Sequence, residues 1–142
     1  MGLKITIMGC GNAAGVPAIG NVWGACDPAE PRNRRSRAAL AVQSAATSLV
    51  VDTGPDFRDQ VNRAGITQID AVIYTHPHSD HLNGIDELRY IRNRTKKLVP
   101  IYVDKPTLEE LEQRFSYLFI ERHGGIYPRV LDPQLITPAH LG

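Results

Sequence analysis

Residues 75–81 read Thr75-His76-Pro77-His78-Ser79-Asp80-His81, and they hold three of the chain's five histidines within six consecutive positions. Neutral imidazole and carboxylate are the ordinary ligands of zinc and related divalent ions. A catalytic zinc site takes about three protein ligands and leaves a position for water. The spacing His-x-His-x-Asp-His suits that chemistry. Pro77 disfavours helix at His76, so the chain leaves the preceding apolar run extended, where residues two apart share a side. His76 and His78 can then reach one ion. Asp80 and His81, further round the turn, can face a neighbouring one. Four clustered donors would repel one another or stand idle without a cation between them. The alternative, a solvated loop in which Asp80 caps the next helix, accounts better for one histidine than for three.

Such a turn needs rigid elements to carry it. Ala71 to Thr75 has the apolar, β-branched content of a buried strand. Leu3, Ile5 and Ile7 alternate as in a first strand, Leu3 to Met8. Ala38 to Val42 and Thr47 to Val51 read as a strand pair, with Asp52 ending the second. Asp56 is placed to cap a helix over Phe57 to Ala64, closed by Gly65. Ile85, Leu88 and Ile91 recur at helical spacing toward Arg94. Pro100 to Val103 is a short strand. Pro106 starts a helix toward Tyr117, with Thr107 and Glu110 at capping-box spacing. Gly124 to Val130 reads as a looser segment. No repeat, low-complexity tract or linker divides the chain, so residues 1–142 read as one domain.

The histidine motif resembles the signature of the metallo-β-lactamase superfamily. Leu49-Val50-Val51-Asp52-Thr53-Gly54-Pro55-Asp56 is similar to that superfamily's earlier strand-and-turn motif. Gly84-Ile85-Asp86-Glu87-Leu88-Arg89 and Gly15-Val16-Pro17 resemble segments of one branch, the phosphodiesterases similar to the cyclic phosphate enzyme of phosphonate breakdown. The resemblance runs from near Lys4 to near Pro133. It implies an α/β fold, the metallo-β-lactamase-like αβ/βα sandwich, with this chain as a truncated first half: a mixed sheet with helices on one face. It also implies a metal-dependent hydrolase, a phosphodiesterase using a metal-activated water on a small-molecule phosphodiester. In that reading His76, His78, Asp80 and His81 bind the metal, zinc or manganese, with two ions in the complete site. Asp80 also orients the hydroxide. Asp52 supports the histidines rather than binding the ion, because a ligand imidazole needs a partner for its other nitrogen; a plain turn aspartate before Gly54-Pro55 is the other reading. The superfamily completes its site with ligands from the second half of the fold. His123, His140, Asp104 and Asp132 have no ligand context here. A thioester or lactone hydrolase of the same superfamily and a catalytically incomplete metal-binding fragment are the alternative functions.

Arg32, Arg34, Arg35 and Arg37 form a short basic run. Guanidinium forks match phosphate oxygens, which makes Arg35 and Arg37, with Arg89 beyond the histidines, candidates for a substrate phosphate. A solvated loop with surface ion pairs explains the run equally well, and Arg89 can pair with Asp86 one turn back. No aromatic residues interleave, so nucleic-acid binding is unsupported.

Composition excludes several classes. A net charge of +1 gives no global pull toward nucleic acid or membrane. Hydrophobic content of 42% and charged content of 22% are those of a soluble globular protein. No apolar run approaches the ~20 residues of a membrane span. The first residues are broken by glycines and do not form a signal peptide. Met1-Gly2 matches a myristoylation pattern, but a strand from Leu3 leaves no free tail. Cys10 and Cys26 suggest no disulfide, and the expected compartment is the cytoplasm. The related branch carries several cysteines near Cys26; this chain has only that one there, too few for a structural zinc. Gly9, Gly11 and Gly15 are spaced G-x-G-x-x-x-G, which is not the dinucleotide fingerprint. Trp23 reads as a loop anchor, with a substrate lid as the alternative. A half-sandwich exposes apolar surface and edge strands, so self-association into homo-oligomers is expected.

Overall fold

Among the described residues six strands form one sheet in chain order: β1 (Lys4–Gly9), β2 (Ala39–Gln43), β3 (Ser48–Val51), β4 (Ala71–Ile73), β5 (Val99–Val103) and β6 (Leu131–Leu135). The computed structural model describes residues 2–121, 124 and 127–137. β1, β2 and β3 pair antiparallel, while β3 to β6 pair parallel. The change of sense follows from the connections. Four residues suffice between β2 and β3, where the Ser44 hydroxyl accepts from the amides of Ala46 and Thr47. Parallel neighbours need crossovers. These are α1 (Phe57–Arg63), then α2 (Ser79–Leu82) and α3 (Leu88–Thr95), then α4 (Lys105–Arg114) and α5 (Ser116–Phe119). The C-terminal ends of β1, β3, β4 and β5 therefore meet at one sheet edge, and the loops leaving that edge carry Asp52 and the histidine motif.

Among the described residues the helices pack on one face of the sheet. Met8, Ala41, Val50, Val72, Ile101 and Leu131 point into the core from the strands, against Phe57, Leu82, Ile85, Leu88, Leu111 and Leu118. On the other face Ile5 and Ile7 of the edge strand are 63% and 70% exposed, opposite Val42 and Leu40. This is the mixed sheet with helices on one face that the resemblance implied.

Several boundaries differ from the sequence reading, each for a hydrogen-bonding reason. β4 stops at Ile73 instead of Thr75, because the Thr75 amide turns to the Asp52 carboxylate (2.9 Å). Residues 79–82 form a helical turn that the extended reading of the motif did not contain. The helix read toward Tyr117 breaks at Phe115, whose φ is −126°. Leu131–Leu135 is a strand; Pro133 is tolerated because β6 lies at the sheet edge.

The cap of α4 is also not Thr107. Asp104 caps it, accepting the Thr107 amide at 3.0 Å, and Thr107 itself is buried. Asp104→Ala should lower stability by about 1 kcal/mol, the usual worth of an N-cap carboxylate. Thermal melts should show this shift, with Glu110→Ala melting like the parent. The reverse ranking would restore the Thr107–Glu110 box.

Candidate functional site

Past Val51 the chain turns sharply, and Asp52 takes φ 63°, a left-handed conformation that Asp tolerates better than most residues. The turn aims its carboxylate across the neighbouring strand end. Oδ1 accepts from the Thr75 amide (2.9 Å), and Oδ2 accepts from the Thr75 hydroxyl (2.7 Å) and from His81 Nδ1 (2.6 Å). Asp52 is 4% exposed, so these donors replace the water it lost. The Thr75 hydroxyl has a single hydrogen, which goes to Asp52. Its oxygen can then accept from His76 Nδ1, 2.9 Å away. One buried carboxylate thus orients His81 directly and His76 through Thr75. In both rings Nε2 is left as the outward-facing lone pair.

Those lone pairs have neighbours. His76 Nε2 lies 3.1 Å from His78 Nδ1, and His81 Nε2 lies 3.2 Å from Asp80 Oδ2. The rings of His76 and His81 are 4.1 Å apart between centroids. Two donors on one tetrahedral zinc are separated by roughly 3.3 Å, so each pair has the spacing of two ligands on a divalent ion. Among the described residues no three His, Cys, Asp or Glu side chains converge on one such position. The four side chains stand as two donor pairs, His76 with His78 and Asp80 with His81.

The turn is fixed from beneath by close backbone packing. The Thr53 amide donates to the His81 carbonyl and the Gly84 amide to the Thr53 carbonyl, both at 2.8 Å. A Cβ on Gly54 would overlap the Asp80 carbonyl oxygen, and one on Gly84 would overlap that of Gly54. Below them the hydroxyls of Thr53 and Tyr74 meet at 2.8 Å. Burial raises the Tyr74 phenol well above its ordinary pKa, so it stays protonated.

The three candidate phosphate-binding arginines sit in different settings. Arg37 is held by Asp56 (3.0 Å) and by the Ala13 carbonyl (3.1 Å). Arg35 donates to the Arg32 carbonyl and, with Arg34, Arg37 and Arg63, lines a cleft of about 390 Å³ between residues 14–17 and α1. Arg89 pairs with Asp86 (3.7 Å) and stacks over Tyr117. Burial and the hydrogen bond to Asp86 push the Tyr117 hydroxyl up to about 12. Trp23 is tied into its own loop by Asn21, with Arg34 over its ring. Both cysteines are free. Asp132 pairs with Arg129 (3.2 Å). Met1, His123 and His140 lie outside the described residues.

Two side chains hold the motif in roles that the sequence reading does not give them. Thr75 ends the strand in the sequence reading, and its hydroxyl beside His76 is the one local signal of the second role. Arg114 touches the turn from α4, and nothing in its local sequence marks it.

This fold has known counterparts. The chain belongs to the metallo-β-lactamase superfamily: the family model described as a beta-lactamase superfamily domain matches residues 47–137. A diphosphatase from the PhnP family superposes with a TM-score of 0.80 at 33% identity, over 95% of this chain and 51% of that one. Zinc-bound PqqB from Methylobacterium extorquens shares the fold, with a TM-score of 0.66 at 19% identity over 93% of this chain and 45% of that one. An octanoyltransferase from Porphyromonas gingivalis (strain ATCC BAA-308 / W83) is 32% identical over 118 residues, 82% of this chain and 24% of that protein. The chain thus spans about half the length of these solved structures and about a quarter of that transferase. Among the described residues no helix is long and apolar enough to cross a membrane.

Proposed function

We propose that the chain carries the metal-binding turn of a hydrolase that cleaves a phosphoric ester or anhydride, with a small phosphodiester as substrate. What carries this reading is the ligand-like spacing of His76 with His78 and of Asp80 with His81. The 33% identity to a diphosphatase supports the choice of phosphorus. Zinc or manganese held by these four side chains would supply Lewis acidity and a water that ionises near neutral pH. Imidazole favours zinc, while carboxylate and water also suit manganese.

The chain's own residues have distinct tasks in this reading. Asp52 and Thr75 hold His76 and His81 in the tautomers that bind through Nε2. Asp80 accepts a hydrogen bond from the attacking water and aims it at phosphorus. Arg35, Arg37 and Arg89 are the cations available to a phosphate. Arg37 packs against the turn's support: its Cβ is 3.8 Å from the position a Gly54 Cβ would take. It retains N–H groups beyond those given to Asp56 and Ala13.

The identity to a protein named for acyl transfer favours a second reading, hydrolysis of a thioester or lactone. The test offers the zinc- or manganese-loaded protein a chromogenic phosphodiester, a diphosphate and an acyl thioester in parallel. Turnover of the phosphorus compounds, lost on chelation and restored by metal, is expected. Turnover confined to the thioester selects the second reading. Bound metal with no turnover leaves a metal-binding role alone.

A further inference from the structure

The motif turn is gripped from outside as well as from beneath. Arg114, the last residue of α4, donates from Nη1 to the Pro77 carbonyl and from Nη2 to Asn83 Oδ1, both at 2.8 Å. Pro77 lies between His76 and His78. Asn83 follows α2, which carries Asp80 and His81. One planar guanidinium therefore holds both the residue between His76 and His78 and the residue two places after His81. Its geometry matters, because the fork of Arg fixes two acceptors relative to each other and the point charge of Lys does not.

The choice of acceptor is informative. Proline has no N–H, so the carbonyl is the one backbone polar group by which Pro77 can be held. Arg114 is itself well founded. α4 is capped by Asp104, Thr107 and Leu111 are buried, and the guanidinium lies 5.2 Å from the centre of the Phe115 ring. A cation also belongs at the negative end of a helix. The turn is thus referred to α4, more than thirty residues further along the chain, and not only to the strands.

We propose that Arg114 is a positioning residue that holds the two donor pairs in register and so sets the metal affinity of the turn. It touches neither metal nor substrate. The proposal rests on the metal-binding reading above, and its test separates the two.

Zinc affinity is measured by competition with a chromogenic chelator for the parent, Arg114→Ala, Arg114→Lys and Asn83→Ala. Partners that orient ligands without binding metal are typically worth 10–100-fold in affinity. Arg114→Ala should therefore weaken zinc binding at least tenfold, with Arg114→Lys recovering only part of the loss. Asn83→Ala opens one arm and should fall between parent and Arg114→Ala. In the metal-free protein, amide exchange at His81, Leu82 and Asn83 should quicken in Arg114→Ala, while the amides of β3 and β5 keep their rates. Parent-like zinc affinity in Arg114→Ala overturns the proposal, whatever the exchange rates. If the parent itself takes up no zinc, the metal-binding reading fails instead. The clamp is then judged by exchange alone, and unchanged rates at those three amides overturn it.

Discussion

His78→Ala is expected to lose hydrolysis by more than about 100-fold and to release the ion shared with His76. The bound is conservative, since removing a residue that merely orients a metal ligand already costs 10–100-fold. His78 contributes Nδ1 at 3.1 Å from His76 Nε2, and no third donor converges on that pair among the described residues. One imidazole is then left where two were paired. His78 is exposed, so the substitution removes little packing and the metal-free protein should melt as the parent does. Metal content by mass spectrometry and turnover of a chromogenic phosphodiester read the two losses separately. Full turnover in this variant would contradict the assigned chemistry.

Gly54→Ala should be nearly as damaging, by a different route. The added methyl would occupy the space of the Asp80 carbonyl oxygen, and it would lie 3.2 Å from the Asp80 carbonyl carbon. Both are backbone atoms and cannot rotate away. The turn carrying Asp80 and His81 has to move, or Asp52–Gly54 has to. Overpacking of this kind costs about 1–3 kcal/mol. At this chain length that is a fall in Tm of roughly 3–10 °C. Either movement breaks the bond from the Thr53 amide to His81 and shifts Asp80 from His81 Nε2, so metal uptake should fall along with Tm. Gly2→Ala, where a Cβ meets nothing within 4 Å, is the matched control. Parent-like metal uptake in Gly54→Ala would show that this packing does not place Asp80.

Much of the architecture was open to inspection in one dimension, because it rests on local rules. Alternation in Leu3, Ile5 and Ile7, the apolar run from Ala71 to Thr75 and the three-residue spacing of Ile85, Leu88 and Ile91 each report one face of a short stretch of chain. Those elements are present with changed bounds: a 3-10 turn at Ile85–Glu87 precedes α3, and β4 ends early because Asp52 took over the Thr75 amide. The strand at Leu131–Leu135 escaped notice for the converse reason. Its short, proline-containing segment has little strand character of its own and is held by pairing with β5.

For the site, the donor types and their spacing were written in Thr75–His81, since ligands contributed by one turn must be neighbours in the chain. Which nitrogen of each ring faces outward was not. That depends on Asp52, which reaches His81 across 29 positions and whose proton acceptors count only when buried together with the groups they serve. The same holds for Gly54, whose smallness matters because of the carbonyl folded against it, and for Arg114, an ordinary surface arginine until α4 is laid beside the turn. Composition and periodicity therefore disclosed which atoms were available. Their orientation, and the contacts that enforce it, came from long-range packing, because hydrogen bonds and excluded volume act between residues that only folding makes adjacent.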